Sequence, residues 1–131
     1  MTSINDIIKE HNEINIELNE LDTIIEEDEI NYSNLVHIFN KVEKLWNIHE
    51  EKEDEFFNKL KERGVNLDVN KLLFQHEELR GFRKVIKNAI KSGSEFEIKV
   101  AMDTDLKMLI DKLRKHMKEE EKIFRKNLIK N

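Results

Sequence analysis

Trp46-Asn47-Ile48-His49-Glu50-Glu51-Lys52-Glu53-Asp54-Glu55-Phe56 decides how this chain is read, together with its echo Arg114-Lys115-His116-Met117-Lys118-Glu119-Glu120-Glu121. Each stretch carries His-x-x-x-Glu, His49 with Glu53 and His116 with Glu120. On a helix, residues i and i+4 lie one above the other on one face. Each stretch therefore offers an imidazole and a carboxylate in the same direction. The neighbours make that direction inward. Leu35, Phe39, Val42, Trp46, His49, Glu53, Phe56 and Leu60 follow at alternating four- and three-residue steps, so His49 and Glu53 occupy seam positions that apolar residues ordinarily take.

The same periodicity extends outward in both directions. Thr2 or Ser3 is placed to cap a first helix whose stripe runs through Ile4, Ile7, Ile8, His11, Ile14, Leu18, Leu21 and Ile25. The cluster Glu26-Glu27-Asp28-Glu29 ends it, and Asn31 caps the second helix, which Gly64 stops. Asn66 or Asp68 opens a third helix on Leu72, His76, Leu79, Arg83, Ile86 and Ile90. After Ser92-Gly93-Ser94, the pair Ser94 and Glu97 forms a capping-box pattern for a fourth helix. Its stripe holds Ile98, Met102, Asp105, Leu109, Leu113, His116, Glu120 and Ile123. Four long amphipathic helices with short connections predict an all-α, antiparallel up-down-up-down four-helix bundle, one domain over residues 1–131.

Composition agrees and excludes several functions. The chain has no Pro and only three Gly, with 39% charged and 38% hydrophobic residues, a helical composition. A net charge of −5 argues against a nucleic-acid partner, which needs a concentrated basic surface. The absence of Cys removes disulfides, thiolate metal sites and cysteine nucleophiles. No apolar run is long enough to span a membrane and the N-terminal residues lack a signal-peptide pattern, so a soluble cytoplasmic protein without membrane partners is expected.

A weak internal repeat ties the histidines together: in each half a lone His (His11, His76) precedes His-x-x-x-Glu. At about 1.5 Å rise per residue, His11 and His49 lie roughly 24 and 27 Å from the first turn. His76 and His116 lie roughly 24 and 33 Å from the Ser92–Ser94 turn, while the second turn matches less well, at roughly 22 and 12 Å. One shared layer is compatible with these heights. With about two of seven positions on a core stripe, four of five histidines would fall there by chance roughly 2% of the time. Four imidazoles and two carboxylates in an apolar core are costly unless a cation joins them. Nitrogen and oxygen donors without sulfur suit iron, manganese or zinc, and two carboxylates can bridge a metal pair.

The order His, His-x-x-x-Glu, His, His-x-x-x-Glu across four helices resembles the hemerythrin-like (HHE cation-binding) domain family over essentially the whole chain. The resemblance implies two non-haem iron ions (Fe2+/Fe3+) with an oxo, hydroxo or water bridge. It implies His11, His49, His76 and His116 as terminal ligands, with Glu53 and Glu120 as bridging carboxylates. Two departures bear on function. Oxygen-carrying hemerythrins have His-x-x-x-His on the third helix, where this chain has Arg80 four residues after His76. Their fourth-helix carboxylate comes five residues after its histidine, a position held here by Glu121; Glu120 is preferred because it repeats the His49–Glu53 spacing. The first departure weakens the case for reversible oxygen carriage. Iron-cluster repair relatives carry a cysteine-bearing segment that this sequence lacks.

Other residues have plainer expectations. His37 lies about 120° around the second helix from His49 and is expected at the surface. Glu50 and Glu77 follow ligand candidates and are expected in solvent, while Arg80 either hydrogen-bonds a bridging carboxylate or rests its stem on the bundle with its head in water. Trp46, Leu45, Phe56, Leu72, Leu79, Leu113 and Ile123 form core and the dry wall of a small-ligand pocket. Tyr32 lies roughly 25 Å from the ligand layer. Together these point to a metal- and ligand-binding protein rather than an enzyme, with a diatomic such as oxygen or nitric oxide as ligand, or to iron handling. The alternatives are a di-iron redox enzyme acting on peroxide or nitric oxide, and a metal-free helical interaction module.

Overall fold

In the computed structural model, residues 3–65 and 69–127 are described. They form α1 (Ile4–Ile25), α2 (Tyr32–Glu62), α3 (Val69–Ser92), α4 (Glu95–Asp103) and α5 (Asp105–Asn127), with no strand among them. Local chemistry sets the ends. Ser3 and Asp6 close a reciprocal capping box: the Asp6 N–H donates to Ser3 Oγ at 3.1 Å and the Ser3 N–H to Asp6 Oδ2 at 3.0 Å. Asn31 Oδ1 accepts from the Asn34 N–H at 3.0 Å, and Ser94 Oγ from the Glu97 N–H at 3.3 Å. Gly64 follows α2 with φ +72°, where a side chain would be strained. Thr2, Asn66 and Asp68, the other cap candidates, lie outside the described residues.

The expected fourth helix is not continuous. It is interrupted at Thr104, where the Val100 carbonyl accepts both the Thr104 N–H at 3.0 Å and its hydroxyl at 2.7 Å. The inward face lies one residue on from the expected stripe there: Leu106, four residues after the buried Met102, is fully buried, and Asp105 is only partly so. A similar shift in α2 buries Phe57 fully and leaves Phe56 at the margin, because the 3.6-residue period favours the four-residue step from Glu53.

Cross-helix pairs show how the rods run. Along α2 and α3 the pairs are Glu43–Lys87, Glu50–Arg83 and Asp54–His76. Asp22–Arg114 and His11–Glu121 join α1 to α5, and Glu78–Lys112 and Gln75–Glu119 join α3 to α5. Numbers rise on one helix as they fall on its neighbour, so these neighbours are antiparallel. The core is two apolar clusters. One gathers Ile14, Leu18, Val42, Trp46, Leu79, Leu113 and others; the second is Ile7, Phe57, Leu60, Leu72 and Phe124. On every long helix, the polar candidates fall between the two. Burying such side chains contributes about 1.5–3 kcal/mol each, and this brackets the polar layer on both sides. Among the described residues, no helix is long and apolar enough to cross a membrane.

Candidate metal centre

His11 from α1, His49 and Glu53 from α2, His76 from α3, and His116 and Glu120 from α5 converge in that layer, none more than 3% exposed. They form two groups, His11–His49–Glu53–Glu120 and His76–His116–Glu53–Glu120. Within each group, ligand-type atoms from all four residues lie within 4.8 Å of one another, and both carboxylates belong to both groups. The imidazoles pair accordingly, His11 with His49 at 4.7 Å between ring centroids and His76 with His116 at 4.8 Å.

Each ring is held from behind through Nδ1. His11 Nδ1 meets Glu121 at 3.2 Å, His49 Nδ1 meets Glu10 at 3.2 Å, His76 Nδ1 meets Asp54 at 2.8 Å, and His116 Nδ1 meets Gln75 Oε1 at 2.7 Å. A carboxylate can only accept, as can an amide oxygen, so Nδ1 carries the proton and each Nε2 keeps a lone pair. All four Nε2 atoms, and both oxygens of Glu53 and of Glu120, are buried without a hydrogen-bond partner. Proximity does not repair this. His11 Nε2 and His116 Nε2 each lie 3.0 Å from a Glu120 oxygen, and His49 Nε2 lies against Glu53, but none of these pairs is aligned as a hydrogen bond. Eight lone-pair atoms thus face one small volume. Such a donor set fits two cations.

Electrostatics without metal points the same way. Burial, reinforced by His11, lowers the His49 imidazole to about 4, and burial with His116 beside it lowers His76. These rings are neutral at pH 7, the state that ligates. Burial and the facing Glu120 push the Glu53 carboxyl well above its usual range. Burial acts on Glu120 in the same direction, but the close approach of Glu53 and of the His11 and His116 rings outweighs it and holds Glu120 well below.

Residues 2–127 match the hemerythrin HHE cation binding domain. The chain belongs to that family. Neither a curated protein nor a solved structure matches it.

Around the centre of this HHE domain, several side chains differ from their sequence expectation. Glu50 is not solvated: it is 4% exposed, because the Trp46 indole N–H donates to it at 2.7 Å and the Arg83 guanidinium at 3.1 Å. Arg80 also binds Glu50, and it donates to Asp54 at 3.0 Å. Arg80 therefore touches neither Glu53 nor Glu120; it reaches the centre only through Asp54, behind His76. Its guanidinium already supplies the cation for a third acidic grouping, Glu50–Asp54–His76. Glu121 is 22% exposed at its side chain and supports His11. Glu77 and His37 are exposed. Trp46, Leu72, Leu79 and Leu113 are buried as the wall requires, with Leu45, Phe56 and Ile123 packed against the apolar clusters. Trp46 lies 5.3–6.1 Å from the rings of His49, His76 and His116, and Phe57 lies 6.0 Å from His76.

The residues behind the rings were missed from sequence, although the internal repeat contains them. Glu10 and Gln75 immediately precede the lone histidines, and Asp54 and Glu121 immediately follow Glu53 and Glu120. The first pair supports the histidine of His-x-x-x-Glu in its own half; the second supports the lone histidine of the other half.

Proposed function

We propose that this chain, as one domain, holds a dinuclear non-haem iron centre and uses it to bind or sense a small diatomic ligand, oxygen or nitric oxide, or to handle iron. His11 and His49 would hold one ion, His76 and His116 the other, with Glu53 and Glu120 shared. The observation carrying this reading is the convergence of eight partnerless lone-pair atoms inside an apolar bundle. A stability role alone does not account for it, since buried unpaired polar atoms destabilise.

Iron bound there would supply direct attachment of the diatomic and electron exchange with it. The chain's own residues have definable tasks. Glu10, Asp54, Gln75 and Glu121 fix the tautomer and direction of each ring. Glu53, whose carboxyl burial pushes above its usual range, would have to be ionised to hold a cation, because metal ligands must be deprotonated. Trp46, Phe57, Leu72, Leu79 and Leu113 exclude bulk water. They leave an apolar surrounding suited to a small, uncharged ligand.

Metal analysis of anaerobically purified protein tests the reading. Two irons per chain, with an oxo-to-iron charge-transfer band after oxidation, are expected. Metal-free protein of full stability would leave only a helical scaffold. Mixing the reduced protein with oxygen or nitric oxide should then give a stable adduct, whereas repeated turnover would assign it to redox enzymes.

A further inference from the structure

The two halves of the centre repeat one another in every supporting contact but one. Three of the four Nδ1–H groups face carboxylates, Glu10, Asp54 and Glu121, and the fourth, on His116, faces the Gln75 amide. Gln75 is fixed in that orientation. Its Nε2 donates to Glu119 Oε2 at 3.1 Å, leaving the carbonyl oxygen for His116. The remaining carboxylate of that half, Asp54, is itself bound by the Arg80 guanidinium at 3.0 Å. Behind His11 and His49 stand two carboxylates, of which Glu10 is also paired with the half-exposed Lys52.

We propose that the two metal positions are unequal, and that Gln75 makes the His76–His116 position the weaker. The proposal rests on the dinuclear reading above. Its physical basis is that an imidazole donating Nδ1–H to an anion gains electron density at Nε2 and becomes a stronger ligand. A hydrogen bond to a charged acceptor is roughly twice as strong as one to a neutral acceptor. The 2.7 Å contact to Gln75 is shorter than the 3.2 Å contacts to Glu10 and Glu121, yet an amide oxygen carries only a partial charge. Field and donor strength act together. A cation between His11 and His49 has two carboxylates behind its ligands, one of them paired with Lys52; one between His76 and His116 has a single carboxylate, paired with Arg80. Cations should therefore fill the His11–His49 position first and leave the other first. Gln75 acts here as a positioning residue through His116.

Titration of metal-free protein with Co2+, followed by its visible bands and by calorimetry, tests this. Two steps are expected, the second about 10–100-fold weaker. Gln75→Glu should tighten the second step about tenfold or more, a gain that structural damage would not produce. Glu10→Gln should weaken the first step and bring the two together from the other side. Circular dichroism establishes that each variant is folded. Two indistinguishable wild-type steps, or a weaker step that Gln75→Glu leaves unmoved, would overturn the proposal while leaving the dinuclear centre standing. No uptake of cobalt or iron at all would overturn both.

Discussion

The apolar clusters and the polar layer between them are built on the same helices, with the same periodicity and the same burial. On α2, Phe39, Val42 and Trp46 lead into His49 and Glu53, which lead into Phe57 and Leu60, all inward. What separates them is how each buried group is satisfied. The apolar side chains need only contact. The four imidazoles are satisfied on their outer side by Glu10, Asp54, Gln75 and Glu121, while their Nε2 atoms and both oxygens of Glu53 and of Glu120 find no hydrogen-bond partner among the described residues. The apolar clusters at the two ends of the bundle therefore favour folding, and the layer between them opposes it unless cations fill it.

The largest effect should come from removing a shared carboxylate. Glu53→Ala is expected to abolish dinuclear binding, and with it the stabilisation that metal confers. At a hundredfold excess over Kd that is about 2.7 kcal/mol per site, or roughly 5 kcal/mol for both. Urea denaturation with and without iron would read it, and an unchanged iron content would remove Glu53 from the centre. In the metal-free state the same substitution should cost little, since it deletes a buried unpaired carboxyl. Leu18→Ala, in the apolar cluster, should behave in the opposite way. It should cost about 2–5 kcal/mol with or without metal and leave the metal-to-protein ratio intact. If Leu18→Ala instead removed metal, the two regions would not be separable.

Much of this contrast is legible in the sequence, because periodicity reports burial irrespective of polarity. His49 and Glu53 stand out for being polar where Val42 and Trp46 predict apolar neighbours. Arg83 is buried as its place on the third-helix stripe predicts, but the burial of Glu50 was harder to anticipate. Glu50 is drawn in by the Trp46 indole and by guanidinium groups of α3, which lie 30 and 33 residues away. Local pattern carries no trace of such cross-helix pairing. The Thr104 break escaped for a different reason: a threonine hydroxyl that bonds back to the carbonyl four residues earlier bends a helix only in certain contexts.

Acid should weaken the polar layer selectively. In metal-free protein, His49 stays neutral down to about 4 when folded but titrates near 6.5 when unfolded. Between those values the unfolded chain binds more protons, so stability rises with pH. The contribution is complete above about 6.5 and is lost progressively towards about 4; for His49 it is on the order of 3 kcal/mol. His76 is shifted in the same direction and adds to it. Glu53, raised when folded, acts oppositely: its contribution is lost as pH rises through its folded value. A metal-free Glu53→Gln background removes the opposing term, and urea melts between about pH 5 and 7, above the ordinary carboxylate value of 4.5 to which Glu120 returns on unfolding, should show the imidazole term as a rising slope. Leu18→Ala should lower that whole curve without changing its slope. A flat profile in Glu53→Gln would mean that these rings are not held neutral by burial.

Trp46 gives the smallest and sharpest comparison, because it belongs to both regions. Its ring lies among the apolar residues and against three of the imidazoles, while its N–H donates to Glu50. Trp46→Phe keeps an aromatic wall and removes the donor. Glu50 retains Arg80 and Arg83, so no charge is left unpaired. A loss of about 1–2 kcal/mol is expected, from one hydrogen bond and a small packing defect. The ratio of metal to protein should stay the same, since every ring keeps its Nδ1 partner. A variant that folds but fails to retain metal would show that the indole positions the imidazoles as well as shielding them, moving the boundary between the two regions one helical turn up α2.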